Sequence, residues 1–159
     1  MTTQPRPSFL SLFGRRLGLG AYGELSSNVK STTPIQITRP AVDATITVSA
    51  EGATTANTRD ISITLKDAYG KALDYAEMFE IINFSSSAMT DWTATGGSTG
   101  IGVTTGKLLA QVAKKHFKAI STTAGAWTGT YLDTGTDVSY LGIRLPNGRI
   151  IAGGTLTCA

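Results

Sequence analysis

From Ala44 to the end of the chain, apolar and polar residues alternate between short turns, and this period of two constrains the fold most. Residues two apart lie on the same face of a strand, so alternation encodes sheets with one buried face. Ala44-Thr-Ile-Thr-Val-Ser-Ala sets Ala44, Ile46, Val48 and Ala50 on one face and Thr45, Thr47 and Ser49 on the other. Asp60–Lys66 repeats the pattern with Ile61, Ile63 and Leu65 inward. Between them, Glu51–Arg59 is rich in Thr, Asn and Gly and reads as a connection. Asp67-Ala-Tyr-Gly-Lys reads as a turn closed by Gly70.

Further strands are expected over Met78–Phe84, Trp127–Leu132, Val138–Leu145 and Arg149–Thr157. Lys107–Ser121 is ambiguous: Leu108, Leu109, Val112, Phe117 and Ile120 approach helical spacing, and its Lys, Ala and Gln favour helix. Every neighbouring element reads as β, so two short strands, Lys107–Val112 and His116–Ser121, are preferred. Ser85–Gly106 is the least regular stretch, and its Trp92 is expected to cover the core edge or to meet a neighbour. Asp133–Asp137 is a turn. Asn147-Gly148 predicts a type I′ hairpin turn, with Pro146 flanking it because proline cannot donate to a ladder. The sum is an all-β sandwich of about seven to eight strands over residues 41–159.

Residues 1–40 are written differently. Phe9, Leu10, Leu12 and Phe13 form an apolar cluster, Arg15-Arg16 follows, glycines stand at positions 14, 18, 20 and 23, and a Ser/Thr/Pro stretch comes next, with no element of useful length. Such a segment cannot repay its ordering entropy alone and needs a surface to lie on. We read it as an extended anchoring arm of a subunit fastened to a larger assembly. Phe9, Leu10, Leu12, Phe13, Arg15 and Arg16 are its partner-binding residues. The arm carries five basic residues against Glu24, a net +4, whereas the body holds nine basic and ten acidic residues, a net −1. Five charges without a Lys/Arg run argue against nucleic acid as the partner. Met1–Tyr22 has the acid-free composition of a transit peptide, and Arg15-Arg16 suggests an export signal. No apolar region follows the arginine pair, however, and a structural arm is the better reading. No apolar run is long enough for a transmembrane helix, so no membrane partner is expected.

The residues offer little for catalysis or cofactors. Gly18-Leu-Gly-Ala-Tyr-Gly23 matches a dinucleotide-binding string, but the motif works only between a strand and a helix, and Glu24–Arg39 will not form that helix. His116, the single histidine, has no nucleophile tied to it by a sequence signature, and reads as solvated or packed. One His and one Cys are too few for a typical zinc site, and Asp133 with Asp137 lacks the ligand spacing of a calcium loop. Cys158 stands alone, so no disulfide forms within the chain. We therefore expect no enzyme, no cofactor, no metal and no small-molecule substrate.

The run Ile-Ser-Ile-Thr-Leu-Lys-Asp-Ala-Tyr-Gly-Lys-Ala-Leu, within residues 44–75, resembles the strand, Lys-Asp, Gly turn, strand signature of bacterial and phage immunoglobulin-like domains. The stretches HFKAIST, WTGTYLD and VSYLGIRLPNGRIIAGGTLTCA resemble the closing strands of small immunoglobulin-like structural proteins of tailed-phage virions. The resemblance covers residues 42–159. The paired cysteines of antibody domains are absent, so it carries the architecture only. It implies a virion structural protein: an immunoglobulin-like β-sandwich decorating or cementing the capsid, assembled in the host cytoplasm. The implied partners are the major capsid protein or neighbouring virion subunits in a multi-copy or homo-oligomeric assembly. The alternatives are a tail or head–tail junction adaptor, or an adhesin-like module binding host-surface glycan or protein.

Overall fold

The chain divides into two units, Met1–Ile37 and Thr38–Ala159. A computed structural model describes residues 40–158, apart from Thr54 and Thr136. These residues form nine strands and no helix: β1 Asp43–Val48, β2 Thr58–Lys66, β3 Met78–Phe84, β4 Gly100–Thr105, β5 Lys107–Val112, β6 His116–Ile120, β7 Ala126–Leu132, β8 Tyr140–Arg144 and β9 Ile150–Thr155. They make two antiparallel sheets, ordered β1-β2-β7-β4 and β5-β6-β3-β8-β9. All nine strands contribute to one core, which makes the described domain an all-β sandwich.

The alternation read from sequence sets the buried faces. Ile61, Ile63 and Leu65 of β2, Phe79 and Ile81 of β3, Phe117 and Ala119 of β6, and Leu141 and Ile143 of β8 are all buried. At the centre lies Trp127 of β7, fully enclosed, its Nε1 donating to the Lys107 carbonyl at 3.2 Å. Burying one such large apolar side chain contributes roughly 1.5–3 kcal/mol, so this central row dominates the stability of the domain. The preferred strands at Lys107–Val112 and His116–Ile120 form as β5 and β6, against their helical spacing. Tertiary pairing overrides local propensity there, because β6 is captured by β3 in register from Met78↔Ile120 to Ile82↔His116.

The structure corrects two sequence readings. Within the stretch taken as irregular, Gly100–Thr105 is a strand, β4, paired with β7. Glycine displays no face, and Ile101 and Val103 alone give too short an alternation to see. The hairpin at Asn147-Gly148 is not a two-residue type I′ turn. Leu145 and Arg149 close the loop, with Leu145 N–H donating to Arg149 O at 2.9 Å and Gly148 N–H donating to Leu145 O at 2.8 Å. A two-residue turn would pair Pro146 with Arg149 and require the N–H that proline lacks. Pro146 therefore takes a turn corner, and Gly148 adopts φ +84° beyond it, as in three-residue hairpins.

Gly106 is the corner between the sheets. The consecutive strands β4 and β5 belong to different sheets, and the chain passes from one to the other through this residue at φ +91°. A Cβ there would lie 2.6 Å from both Ile120 O and Trp127 Cδ1, so only glycine fits the crossing.

Candidate functional site

The anchoring residues inferred from sequence, Phe9, Leu10, Leu12, Phe13, Arg15 and Arg16, lie outside the described residues, as does the Gly18–Gly23 string.

The sandwich's outer face on the five-stranded sheet carries a charged cluster that sequence reasoning did not assemble. Period-two geometry turns Glu80 of β3, His116 and Lys118 of β6, and Arg144 of β8 outward, and the register places Glu80 opposite both Lys118 and Arg144. Arg144 Nε donates to Glu80 Oε2 at 2.7 Å, and its Nη2 lies 2.5 Å from the same oxygen. His116 Nε2 lies 3.1 Å from Oε2, close enough for charge contact but off the line of a hydrogen bond. Partial burial raises the Glu80 pKa, but the Arg144 and His116 contacts outweigh it and hold the carboxyl below its ordinary range. A carboxylate so stabilised is a weak base. The cluster is suited to tying three strands together rather than to proton transfer.

Trp92 covers His116. A backbone bridge joins Trp92 to Phe84, and the indole lies 5.7 Å from the imidazole with a 43° tilt. Trp92 thus lies against the outer face of the sheet, not among the core residues, and remains 50% exposed. His116 reads as packed, and its contacts are a carboxylate and an aromatic ring.

A second polar group closes one end of the sandwich. Asp133, after β7, is buried, and its Oδ1 accepts from Ser98 N at 2.9 Å and Gly135 N at 3.0 Å. Ser98 Oγ accepts from Thr134 N at 2.9 Å, and the Thr95 hydroxyl bonds to the Asp137 carboxylate. Asp133 and Asp137 therefore fasten the Gly96–Ser98 loop to the turn after β7. Nearby, burial raises the pKa of the Tyr131 hydroxyl and of the Cys158 thiol. A thiol buried to 1% exposure with its pKa raised is a poor nucleophile. Among the described residues no three His, Cys, Asp or Glu side chains gather as a metal site would require.

Sequence reasoning missed Glu80 and Arg144 as members of a cluster. Both read only as polar positions on strands, and nothing local shows that β8 pairs with β3 some sixty residues away. Comparison with protein-family models, curated proteins and solved structures finds no match.

Proposed function

We propose that this protein is a non-enzymatic structural subunit of a tailed-phage virion, an immunoglobulin-like sandwich held on the capsid by its N-terminal arm as a decoration or cement protein. The observation that carries the reading is the closure of the core. The domain begins at Ala41, fully buried, whose N–H donates to Glu77 Oε2 at 2.7 Å, and ends with buried Leu156 and Cys158. Between these points every strand already contributes to one core, so the described residues complete a sandwich among themselves, which is compatible with a separate anchoring role for the Phe9–Phe13 cluster and the arginine pair.

Strand order supports the immunoglobulin-like assignment. β1, β2, β7 and β4 hold the places of strands A, B, E and D, and β9, β8, β3, β6 and β5 those of G, F, C, C′ and C″. The path differs from that family in one respect. Between the C and E places an immunoglobulin variable-type chain visits C′, C″ and D, whereas here the same three places are filled as D, C″ and C′. An adhesin is less well supported, because the β3–β4 loop presents a single aromatic, Trp92, rather than a row of them.

The test is particle occupancy. Deleting Met1–Arg16 is expected to leave the sandwich folded and to abolish its retention on purified shells. Phe9→Ala with Phe13→Ala should weaken retention more than Arg15→Ala with Arg16→Ala, since buried aromatics outweigh exposed ion pairs worth about 0–1 kcal/mol each. Armless protein that binds as tightly as the intact chain refutes the anchoring role.

A further inference from the structure

The strand β5 is an edge of the five-stranded sheet, and its chemistry differs from the rest of the domain. Residues 92–132 contain four lysines, one histidine and no acidic residue, whereas the remainder of the body holds five basic and ten acidic residues. The basic side chains therefore segregate onto β5, β6 and the turn between them. Lys107, Lys115 and Lys118 form no ion pair among the described residues.

Apolar side chains are interleaved with these charges. Register aligns Lys107, Ile120 and Met78 in one row across the outer face and Leu109, Lys118 and Glu80 in the next. Leu109 is 64% exposed, Met78 53% and Ile120 39%. Residues in neighbouring rows lie within side-chain reach, so Leu109, Ile120 and Met78 form an exposed apolar strip flanked by Lys107 and Lys118. Along the free side of β5, alternate N–H and C=O groups point away from the sheet over the regular stretch Lys107–Ala110, about 13 Å, up to the bulge between Ala110 and Val112.

We propose that the β5 edge is a docking ledge for an extended segment of another protein that presents acidic and apolar side chains in turn along one face, at every second residue. The incoming strand would add to the sheet through main-chain hydrogen bonds, and because residues two apart share a face, an apolar residue would meet Leu109 and the acidic residue two positions away would meet Lys107, with Lys118 beside Leu109 adding to the positive field. Charge complementarity selects this occupant. The protein's own residues 1–40 carry a net +4 and so lack the acidic side chains this edge would select. A second copy pairing β5 with β5 would bring two lysine-bearing edges together. Nucleic acid is poorly served by an edge that exposes Leu109 to 64% and carries Lys107 as its one cation. This ledge lies wholly within the described sandwich, so the inference stands or falls apart from the role of the arm.

The experiment uses the full-length chain and fluorescent peptides about eight residues long, enough to span the strand. The probes carry Glu and Val, Lys and Val, or Glu and Gly two residues apart with serine between them (the Glu–Val, Lys–Val and Glu–Gly peptides), with oligothymidylate as a fourth. Affinity is read by anisotropy at two salt concentrations, and the site by amide exchange along β5. The Glu–Val peptide is expected to bind, to slow exchange in Lys107–Val112 and to weaken with salt. Lys107→Glu with Lys118→Glu should weaken it about tenfold and improve Lys–Val binding, with the circular dichroism spectrum unchanged. Leu109→Ser, which leaves the charges intact, should also weaken it. The proposal is overturned if Glu–Val leaves β5 exchange unchanged, or if Lys–Val or Glu–Gly binds equally well. Binding of oligothymidylate with protection of β5 in place of Glu–Val would identify a nucleic-acid surface instead.

Discussion

Replacing Gly106 by alanine tests whether the crossing between the sheets depends on the absence of a side chain. Two costs add at this site. An L-residue at φ +91° bears left-handed strain of about 1–2 kcal/mol, and the new methyl lies 2.6 Å from a backbone oxygen and from the indole of fully buried Trp127. Neither neighbour is the end of a flexible side chain, so the crowding acts as core overpacking, at about 1–3 kcal/mol. Reduced freedom of the unfolded chain returns about 0.4–1 kcal/mol. The expected net loss is roughly 2–4 kcal/mol, a large share of the stability of an ordinary domain. Gly148→Ala is the internal control, since its φ of +84° carries similar strain but nothing lies within 4 Å of the added methyl. It should lose only about 1 kcal/mol. Urea unfolding followed by far-ultraviolet circular dichroism gives both values from midpoints at constant m. If the two variants unfold within about 0.5 kcal/mol of each other, the packing argument at Gly106 is wrong.

Three further outcomes are expected. Glu80→Gln should cost about 1 kcal/mol near neutral pH, a modest figure because Arg144 is partly solvent-screened. Since the folded pKa of Glu80 is depressed, its contribution is present above the ordinary carboxylate range and fades as pH falls through the folded value. Wild-type and variant urea midpoints should therefore converge in acid, and a gap that persists or widens there would contradict the assignment. Asp133→Ala should destabilise by about 2–3 kcal/mol, because it strips the acceptor from the Ser98 and Gly135 amides, and thermal unfolding would register it. Cys158 should resist a thiol reagent in native buffer and react at once in denaturant, and rapid native labelling would show that the C-terminal closure opens readily.

Strands with clear alternation were legible because burial on one face leaves its mark every second residue. Ile61, Ile63, Leu65, Leu141 and Ile143 all face the core as their spacing implies. β4 escaped because glycines at 100 and 102 carry no side chain to show a face. The turn at Pro146–Gly148 differs from the sequence reading because Pro146, set beside the turn for want of an N–H, takes a corner within it and moves the closing pair out to Leu145 and Arg149. The Glu80–Arg144–His116 cluster was out of reach for a different reason. It depends on which strands become neighbours, and pairings such as Glu80↔Arg144 and Glu80↔Lys118 are decided by the packing of the whole domain.

The order in which the strands leave the ribosome adds a consequence of the sheet topology. Each sheet depends on pairings between non-consecutive strands: β2 must wait for β7, with Ile61 meeting Gly129, and β3 for β8, with Ile81 meeting Ile143. A nascent chain that has just released β6 still lacks the central strand of one sheet and a neighbour of β3 in the other. It holds Ile61, Ile63 and Leu65 on a strand open along one side. Such long-range pairing places folding in the slow range, milliseconds to seconds, and makes it nearly all-or-none. During synthesis the unpaired side of β2 is therefore the segment that a chaperone must shield, or that a neighbouring nascent chain would capture.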